Sequence, residues 1–217
     1  MAKIGIIGAT GMTGSAIYKE ALAHNQKPTA LVRNAAKAKK MFGDQAKIIE
    51  KDAFDLTADD LKEFDVVVDA FATTPDKASD HVKLAKKLVS LATKDGPRLY
   101  FILGAGSLIA GADGHLAVED IKKVLGSEKW IAIPEEQKKE LDYLRTVDSV
   151  NWVGTSPAMQ YVEGPASEQI LMEVDHLLKN DRGESKTTSG TMAKAVISEI
   201  MNPAHHNMRF TVANGLR

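Results

Sequence analysis

Residues 4–14 read IGIIGATGMTG, a short apolar run followed by glycines at positions 8, 11 and 14. The run suits a buried strand and the stretch from Met12 suits a helix, so the glycines fall at a strand-to-helix turn. At such a turn Gly8 permits the sharp bend, Gly11 lets a pyrophosphate approach the backbone, and Gly14 lets helix and strand pack closely. The free amides and positive dipole end of the helix favour the phosphates. The spacing is G-x-x-G-x-x-G rather than G-x-G-x-x-G, and the hydroxyls of Thr10 and Thr13 add possible phosphate donors. The expected pyrophosphate holders are therefore Gly8, Thr10, Gly11, Met12 and Thr13, with a purely structural glycine turn as the competing reading.

The rest of the chain decides whether that turn has the right surroundings. At 217 residues with 44% hydrophobic and 26% charged residues, the composition is that of a globular protein with a sizeable core. A single domain over residues 1–217 is expected. The formal net charge of -1 supplies no field for nucleic acid or an anionic membrane. The basic run AAKAKK at 35–40 reads as the solvated face of a helix. The absence of cysteine excludes disulfides, thiolate nucleophiles and cysteine-held metals. No apolar run reaches the ~18–20 residues of a membrane span, and no leader is read at the start, so a cytoplasmic location is expected.

Short apolar runs over 4–7, 29–32, 47–50, 65–70, 99–103 and 151–154 alternate with helical stretches over 12–24, 35–42, 58–64, 76–94 and 135–147. Runs such as VVVDAF and LYFIL lack polar alternation, as strands do when helices cover both faces of a parallel sheet. The pattern predicts an α/β fold, a Rossmann-like doubly wound parallel sheet with a small C-terminal substrate-side lobe after Pro157. In that lobe the sequence predicts two short mixed runs, a turn at 180–183, a helix capped by Ser189, and a final strand over 208–213.

The ordered set GATGMTG, ALVRN after the second strand, KDAFD after the third and ILGAGSL after the fifth resembles the atypical short-chain dehydrogenase/reductases. Within them it is most similar to the NAD(P)H-binding, NmrA-like group that includes flavin reductase/biliverdin reductase B-type enzymes. WVGTSPA and NPAHHNMRFTVAN extend the resemblance over essentially the whole chain. It implies a Rossmann fold and NADP(H) as the usual ligand.

Arg33 ends the second strand, where NAD-selective folds carry an acid for the ribose 2′-OH; an arginine there suits a 2′-phosphate. A merely solvated strand-end arginine is the alternative, and Asn34 is either its polar neighbour or a helix cap. Asp52 follows the third strand, where the resemblance implies contact with the adenine; an ordinary turn acid is equally open. Phe71, Ala72 and Thr73 end the fourth strand and should lie along the cofactor's ribose, while Thr74–Pro75 starts a helix. Ser107, at the end of the fifth strand, where short-chain reductases carry a serine nearby, is the expected catalytic residue, with an ordinary turn serine as the alternative, and Gly104 and Gly106 would admit the nicotinamide.

No tyrosine is followed four residues later by the lysine that short-chain reductases use to acidify it. The region of the expected active-site helix offers Gln137 and Lys138 instead. Carbonyl reduction needs a placed proton donor, whereas a flavin or quinone delocalises the incoming charge. The expected function is NADPH-dependent hydride transfer to a flavin or quinone-like acceptor, with FMN or FAD entering as substrate, by a monomer or homodimer. A non-catalytic NmrA-like NADP(H) sensor and a nucleotide-sugar epimerase are the alternatives. No metal site is expected: His205 and His206 read as a surface loop and His115 as a loop histidine. Tyr161 reads equally as pocket mouth or core, and Met172 and Met192 as packing residues.

Overall fold

The computed structural model describes residues 1–215. Strands β1 (Lys3–Ile7), β2 (Lys27–Val32), β3 (Lys47–Glu50), β4 (Val66–Asp69), β5 (Arg98–Ile102) and β6 (Trp152–Pro157) pair in the order β3-β2-β1-β4-β5-β6, all parallel. Chain order reverses between β1 and β4, and that switch point opens a crevice at the carboxyl ends of the strands.

Successive side chains alternate between two buried faces. Ile4, Ile6, Val66, Val68, Tyr100 and Val153 face one core, packed under α1 (Met12–Ala23) and α7 (Ser189–Met201). Ile7, Val67, Leu99, Phe101 and Trp152 face the other, with Leu84 and Leu88 of α4 (Asp80–Leu91) and Leu141 and Leu144 of α6 (Ala132–Leu144). Both faces being covered is the physical reason these strands read as unbroken apolar runs. Each fully buried leucine or isoleucine contributes roughly 1.5–3 kcal/mol.

The region after Pro157 is only partly a lobe. β7 (Gln160–Val162) and β9 (Lys186–Thr188) form a separate two-stranded parallel sheet. β10 (Met208–Asn214) instead rejoins the main sheet parallel to β6, and β8 (Ile170–Glu173) pairs antiparallel on its far side. Thus β10 lies between β6 and β8. Met172 is exposed on that edge strand, against expectation, whereas Met192 is fully buried.

Helix boundaries shift for local reasons. Thr188, not Ser189, caps α7, accepting from the Thr191 amide. The stretch over 76–94 splits into a 3-10 turn at Pro75–Lys77 and α4. The remaining helices are α2 (Ala35–Phe42), the single turn α3 (Ala58–Leu61), which stops short of the expected residue 64, and α5 (Ala117–Lys122), for which the sequence predicts no helix. No helix among the described residues is long and apolar enough to cross a membrane.

Candidate functional site

Of the three N-terminal glycines, two are required by the fold itself. Gly8 has φ +70° and a Cβ there would sit 2.5 Å from the Ala70 carbonyl oxygen; a Cβ on Gly14 would overlap the Gly8 carbonyl. Gly11 differs. It is exposed, and a Cβ there would meet only the Gly8 oxygen, at 3.3 Å. A Cβ at 11 would ask a few tenths of an ångström of the Gly8 carbonyl, so the fold demands glycine less strictly there than at 8 and 14. Gly11 caps α1 without a side-chain hydrogen bond, and the first turn holds no acid. The leading amides are thus left to an anion.

Two cavities meet at this turn, sharing Gly11, Ala70, Phe71, Ala72 and Thr73. The outer one, ≈ 730 Å³, is lined by Gly8, Thr10, Arg33, Asn34, Lys37, Lys51, Asp52 and Lys77, among others. Asn34 caps α2 by accepting from the Lys37 amide at 2.8 Å, and Asp52 caps the next 3-10 turn by accepting from Phe54 N at 2.9 Å. Both are therefore turn residues and cavity wall at once. Lys37 and Lys51 were missed by sequence. Lys37 belongs to the run read as a solvated face, but it stands in the first turn of α2, near Arg33. Lys51 also pairs with Asp60 at 2.5 Å.

The inner cavity, ≈ 350 Å³, is mostly apolar. Met12, Thr13, Phe71, Ile121, Trp130, Ile133, Pro134, Met159 and Tyr161 form its walls with Gly104–Gly106, and its polar side chains include Thr73, His81 and Gln137. Among the described residues no lysine or arginine lines it. Thr13 Oγ1 and Tyr161 Oη share a hydrogen bond of 2.7 Å across 148 residues of sequence. That bond engages the Thr13 hydroxyl, and Tyr161 both lines the cavity and packs against the core. Burial, opposed by the Thr13 bond, pushes the Tyr161 phenol up to about 12.

Ser107 is not on the wall. The 3-10 turn Ala105–Ser107 directs it inward, where it is buried and its Oγ accepts from Arg209 Nη1 at 3.2 Å. The same Nη1 donates to Ser156 Oγ at 3.1 Å, and Ser156 Oγ donates to the Gly104 carbonyl at 2.9 Å. Ser107 therefore supports the wall from behind and does not reach into the cavity. Lys138 is held by Asp142 at 2.6 Å, and His115 lies between Asp113 and Asp120. Neither lines either of these two cavities. His205 is not a free surface residue: it stacks on Phe210 and bonds Glu199 at 2.8 Å. Among the described residues no group of three or more His, Asp or Glu is arranged to hold a metal ion.

A third set lies at the end of β4. His81, 5% exposed, lines the inner cavity; its Nδ1 is 3.9 Å from Glu140 Oε2, and its Nε2 has no partner. Burial pushes Asp69 up to about 7 against the opposing Phe71 amide, and burial together with the Asp69 charge pushes Glu140 well above the carboxylate range. Burial lowers His81, while Asp80 and Glu136 pull it upward. No sequence signal joins these three residues, which come from a strand end and two separate helices.

A sequence-family profile described as NAD(P)H-binding matches residues 8–203. The Bacillus subtilis (strain 168) protein YwnB is 35% identical over 215 residues, covering 98% of each chain. A solved Lactobacillus casei protein is 32% identical with a TM-score of 0.92, over 99% of this chain and 100% of that one. SP1627 of Streptococcus pneumoniae, provisionally named an NADH-flavin reductase, is 30% identical with a TM-score of 0.88, over 99% and 100% of the two chains.

Proposed function

The chain belongs to the NAD(P)H-binding family, and on that premise we propose that it is an NADPH-dependent reductase acting on a flavin or quinone-like acceptor. The observation that carries this reading is the pairing of two joined cavities of opposite character. The outer one offers Arg33, Lys37 and Lys51 beside the glycine turn, a set suited to a phosphate-rich ligand with a 2′-phosphate. The inner one offers apolar and aromatic walls suited to a flat uncharged ring.

Bound at the junction, the nicotinamide supplies hydride. The chain's own contribution is positioning and exclusion of water. Gly11 and the first turn of α1 hold the pyrophosphate, Phe71, Ala72 and Thr73 flank the ribose, and Asp52 lies at the adenine end. Gly104 and Gly106 keep the fifth-strand turn thin, while Trp130, Met159 and Tyr161 shield the acceptor. Ser107 acts only through Arg209 and the Gly104 backbone. Lacking cations, the inner walls suit the ring of an acceptor and leave any phosphate tail outside.

The test has two arms. Purified protein is titrated with NADPH and NADH by calorimetry, then assayed for loss of reduced-nicotinamide absorbance with FMN, menadione and aliphatic or aryl ketones. NADPH should bind more tightly, and turnover should be confined to the flavin and quinone. Arg33→Asp should weaken NADPH binding about tenfold to a hundredfold, the worth of a charge-assisted hydrogen bond (roughly 1.5–3 kcal/mol), and leave NADH nearly unchanged. Equal wild-type affinity for both removes the Arg33 assignment. Tight binding without turnover of any acceptor turns the reading into that of a sensor.

A further inference from the structure

We propose that Gln137 selects the acceptor: its side-chain amide pairs with a ring edge that carries an N–H beside a carbonyl, and so favours a flavin over a quinone. The inference rests on the reductase reading and narrows its acceptor class. On α6, Pro134, Gln137 and Leu141 follow one another at spacings of three and four residues and so share a face. Pro134 and Leu141 are buried, Leu141 in the core with Leu84 and Leu88. Gln137 interrupts that face with a polar group and lines the inner cavity.

The turn after β5 fixes its place. A Cβ on Gly106 would meet Pro134 Cβ at 3.0 Å, and a Cβ on Gly104 would overlap Gln137 Oε1 and lie 3.0 Å from its Cδ. Glycine at 104 thus makes room for the amide. Among the described residues the amide has no hydrogen-bond partner. Gln137 is partly buried, and neither amide atom is sealed. Other polar groups of the inner wall are engaged or lie elsewhere. Thr13 and Tyr161 bond each other, His81 Nε2 is sealed from solvent, and Thr73 also lines the outer cavity, on the cofactor's side.

A primary amide offers a donor and an acceptor side by side, and its complement is an edge bearing the reverse pair. The pyrimidine edge of an isoalloxazine has it. Ring N3–H donates to Gln137 Oε1, while Gln137 Nε2–H donates to the adjacent ring carbonyl. A carbonyl flanks N3–H on each side, so either orientation of the amide finds the pair. A quinone brings carbonyls alone; it fills the Nε2 donor and leaves Oε1 unpaired among apolar walls, and that loss disfavours it. The carboxamide of the nicotinamide carries the same pair as the flavin edge, and placement tells the two apart. The cofactor's path follows the residues that both cavities share, Gly11 and Ala70–Thr73, whereas Gln137 lines the inner cavity alone.

The experiment reads binding apart from turnover. Lumiflavin, which has the N3–H edge and no phosphate, and its N3-methyl form, which lacks that hydrogen, are titrated by flavin fluorescence into protein saturated with NADP⁺. Lumiflavin and menadione are then compared as acceptors with NADPH. Wild type should bind lumiflavin about tenfold more tightly than the methyl form, the worth of one or two neutral hydrogen bonds. Gln137→Leu should weaken lumiflavin about tenfold, change the methyl form less than about threefold, and lower the lumiflavin-to-menadione ratio of kcat/KM about tenfold. Gln137→Met replaces it if its thermal transition is not sharp. Equal wild-type affinity for the two flavins, or a variant that keeps the preference, overturns Gln137 as the selector. So does a variant that loses NADPH affinity and keeps the lumiflavin preference, since the amide then serves the nicotinamide. A wild type that shows the Gln137-dependent preference but oxidises NADPH with neither acceptor overturns the reductase reading and leaves the recognised edge standing.

Discussion

Glu199 and Glu140 are both buried, each faces a histidine, and in their surroundings they are opposites. Glu199, on α7, lies by the start of β5, at the sheet edge away from the cavities. Its carboxylate receives Arg98 Nη2 at 2.8 Å, the amides of Ala204 and His205 at 3.0 and 3.1 Å, and His205 Nδ1 at 2.8 Å. Of the fully buried side-chain polar atoms of that cluster, only Arg98 Nε lacks a partner among the described residues. Glu140, at the carboxyl-end edge, has the distant His81 and an acidic neighbour in Asp69. Burial raises Glu199, but the bonds from His205 and Arg98 outweigh it and hold the group low; burial and Asp69 leave Glu140 high. The same residue types thus build a satisfied clamp at one edge and an unsatisfied pair at the other. How completely the hydrogen bonds are filled, more than residue identity, separates the two roles.

The largest test breaks the clamp. Glu199→Ala leaves Arg98 buried without its counter-charge, which should cost about 3–5 kcal/mol at pH 7 in urea unfolding. Because the folded-state pKa of Glu199 is lowered, its contribution is present above its ordinary value of 4.5 and lost as pH falls through the folded pKa. The gap between variant and wild type should therefore narrow in acid. A deficit below about 1 kcal/mol at pH 7 would mean that the clamp carries little.

At the opposite edge the sign reverses. Asp69 is raised from 3.8 to about 7, so its contribution is full below pH 3.8 and is lost as pH rises through 7. Asp69→Asn keeps an oxygen for the Phe71 amide, which Asp69 Oδ1 now accepts at 3.0 Å, and removes that loss. The full shift corresponds to roughly 4 kcal/mol, and relaxation of a buried site reduces it. The variant should gain about 2 kcal/mol at pH 8 and nothing at pH 3.5. Equal stability at both pH values would show that Asp69 ionises freely.

The smallest effect sharpens the contrast between wall and support. Ser107→Ala removes one acceptor from Arg209 Nη1, which keeps Ser156 Oγ, so stability should fall by about 1 kcal/mol. The kcat/KM for menadione should change less than about threefold, a loss below ~0.7 kcal/mol in transition-state binding. A tenfold fall in kcat/KM with unchanged stability would return Ser107 to the reacting centre.

The parallel sheet was legible because its signals are local. Ile4–Ile7, Val66–Val68 and Leu99–Ile102 carry unbroken apolar runs, and the turn at Gly8–Gly14 announces the switch point. The short strands after Pro157 were not, because three or four mixed residues such as Lys186–Thr188 carry no period. Ser107 misled because the fifth-strand end does reach the cavity, through Gly104–Gly106, while the following 3-10 turn points the serine into the core. His81 was invisible because HVKLAKKL reads as an ordinary amphipathic helix, and nothing local to residue 81 announces Glu140 or Asp69. Lys37 was hidden in a basic run whose lysines, Lys37, Lys39 and Lys40, are all exposed, and only its place on the outer-cavity wall sets it apart.

The interior place of β10 has a consequence during synthesis. β1 to β6 make a contiguous sheet, and every residue lining the outer cavity falls between Ile7 and Asp80, so that half of the site can assemble on a growing chain. The outer edge of β6 cannot close, because its neighbour starts only at Met208. At ordinary translation rates of about 5–20 residues per second, the chain between these two strands takes roughly 3–10 s to appear. Throughout that interval the nascent protein presents an unpaired strand edge and the uncovered apolar seats of Phe210 and Val212. That edge stays open to pairing with other strands until β10 is made and Arg209 arrives behind Ser107 and Ser156.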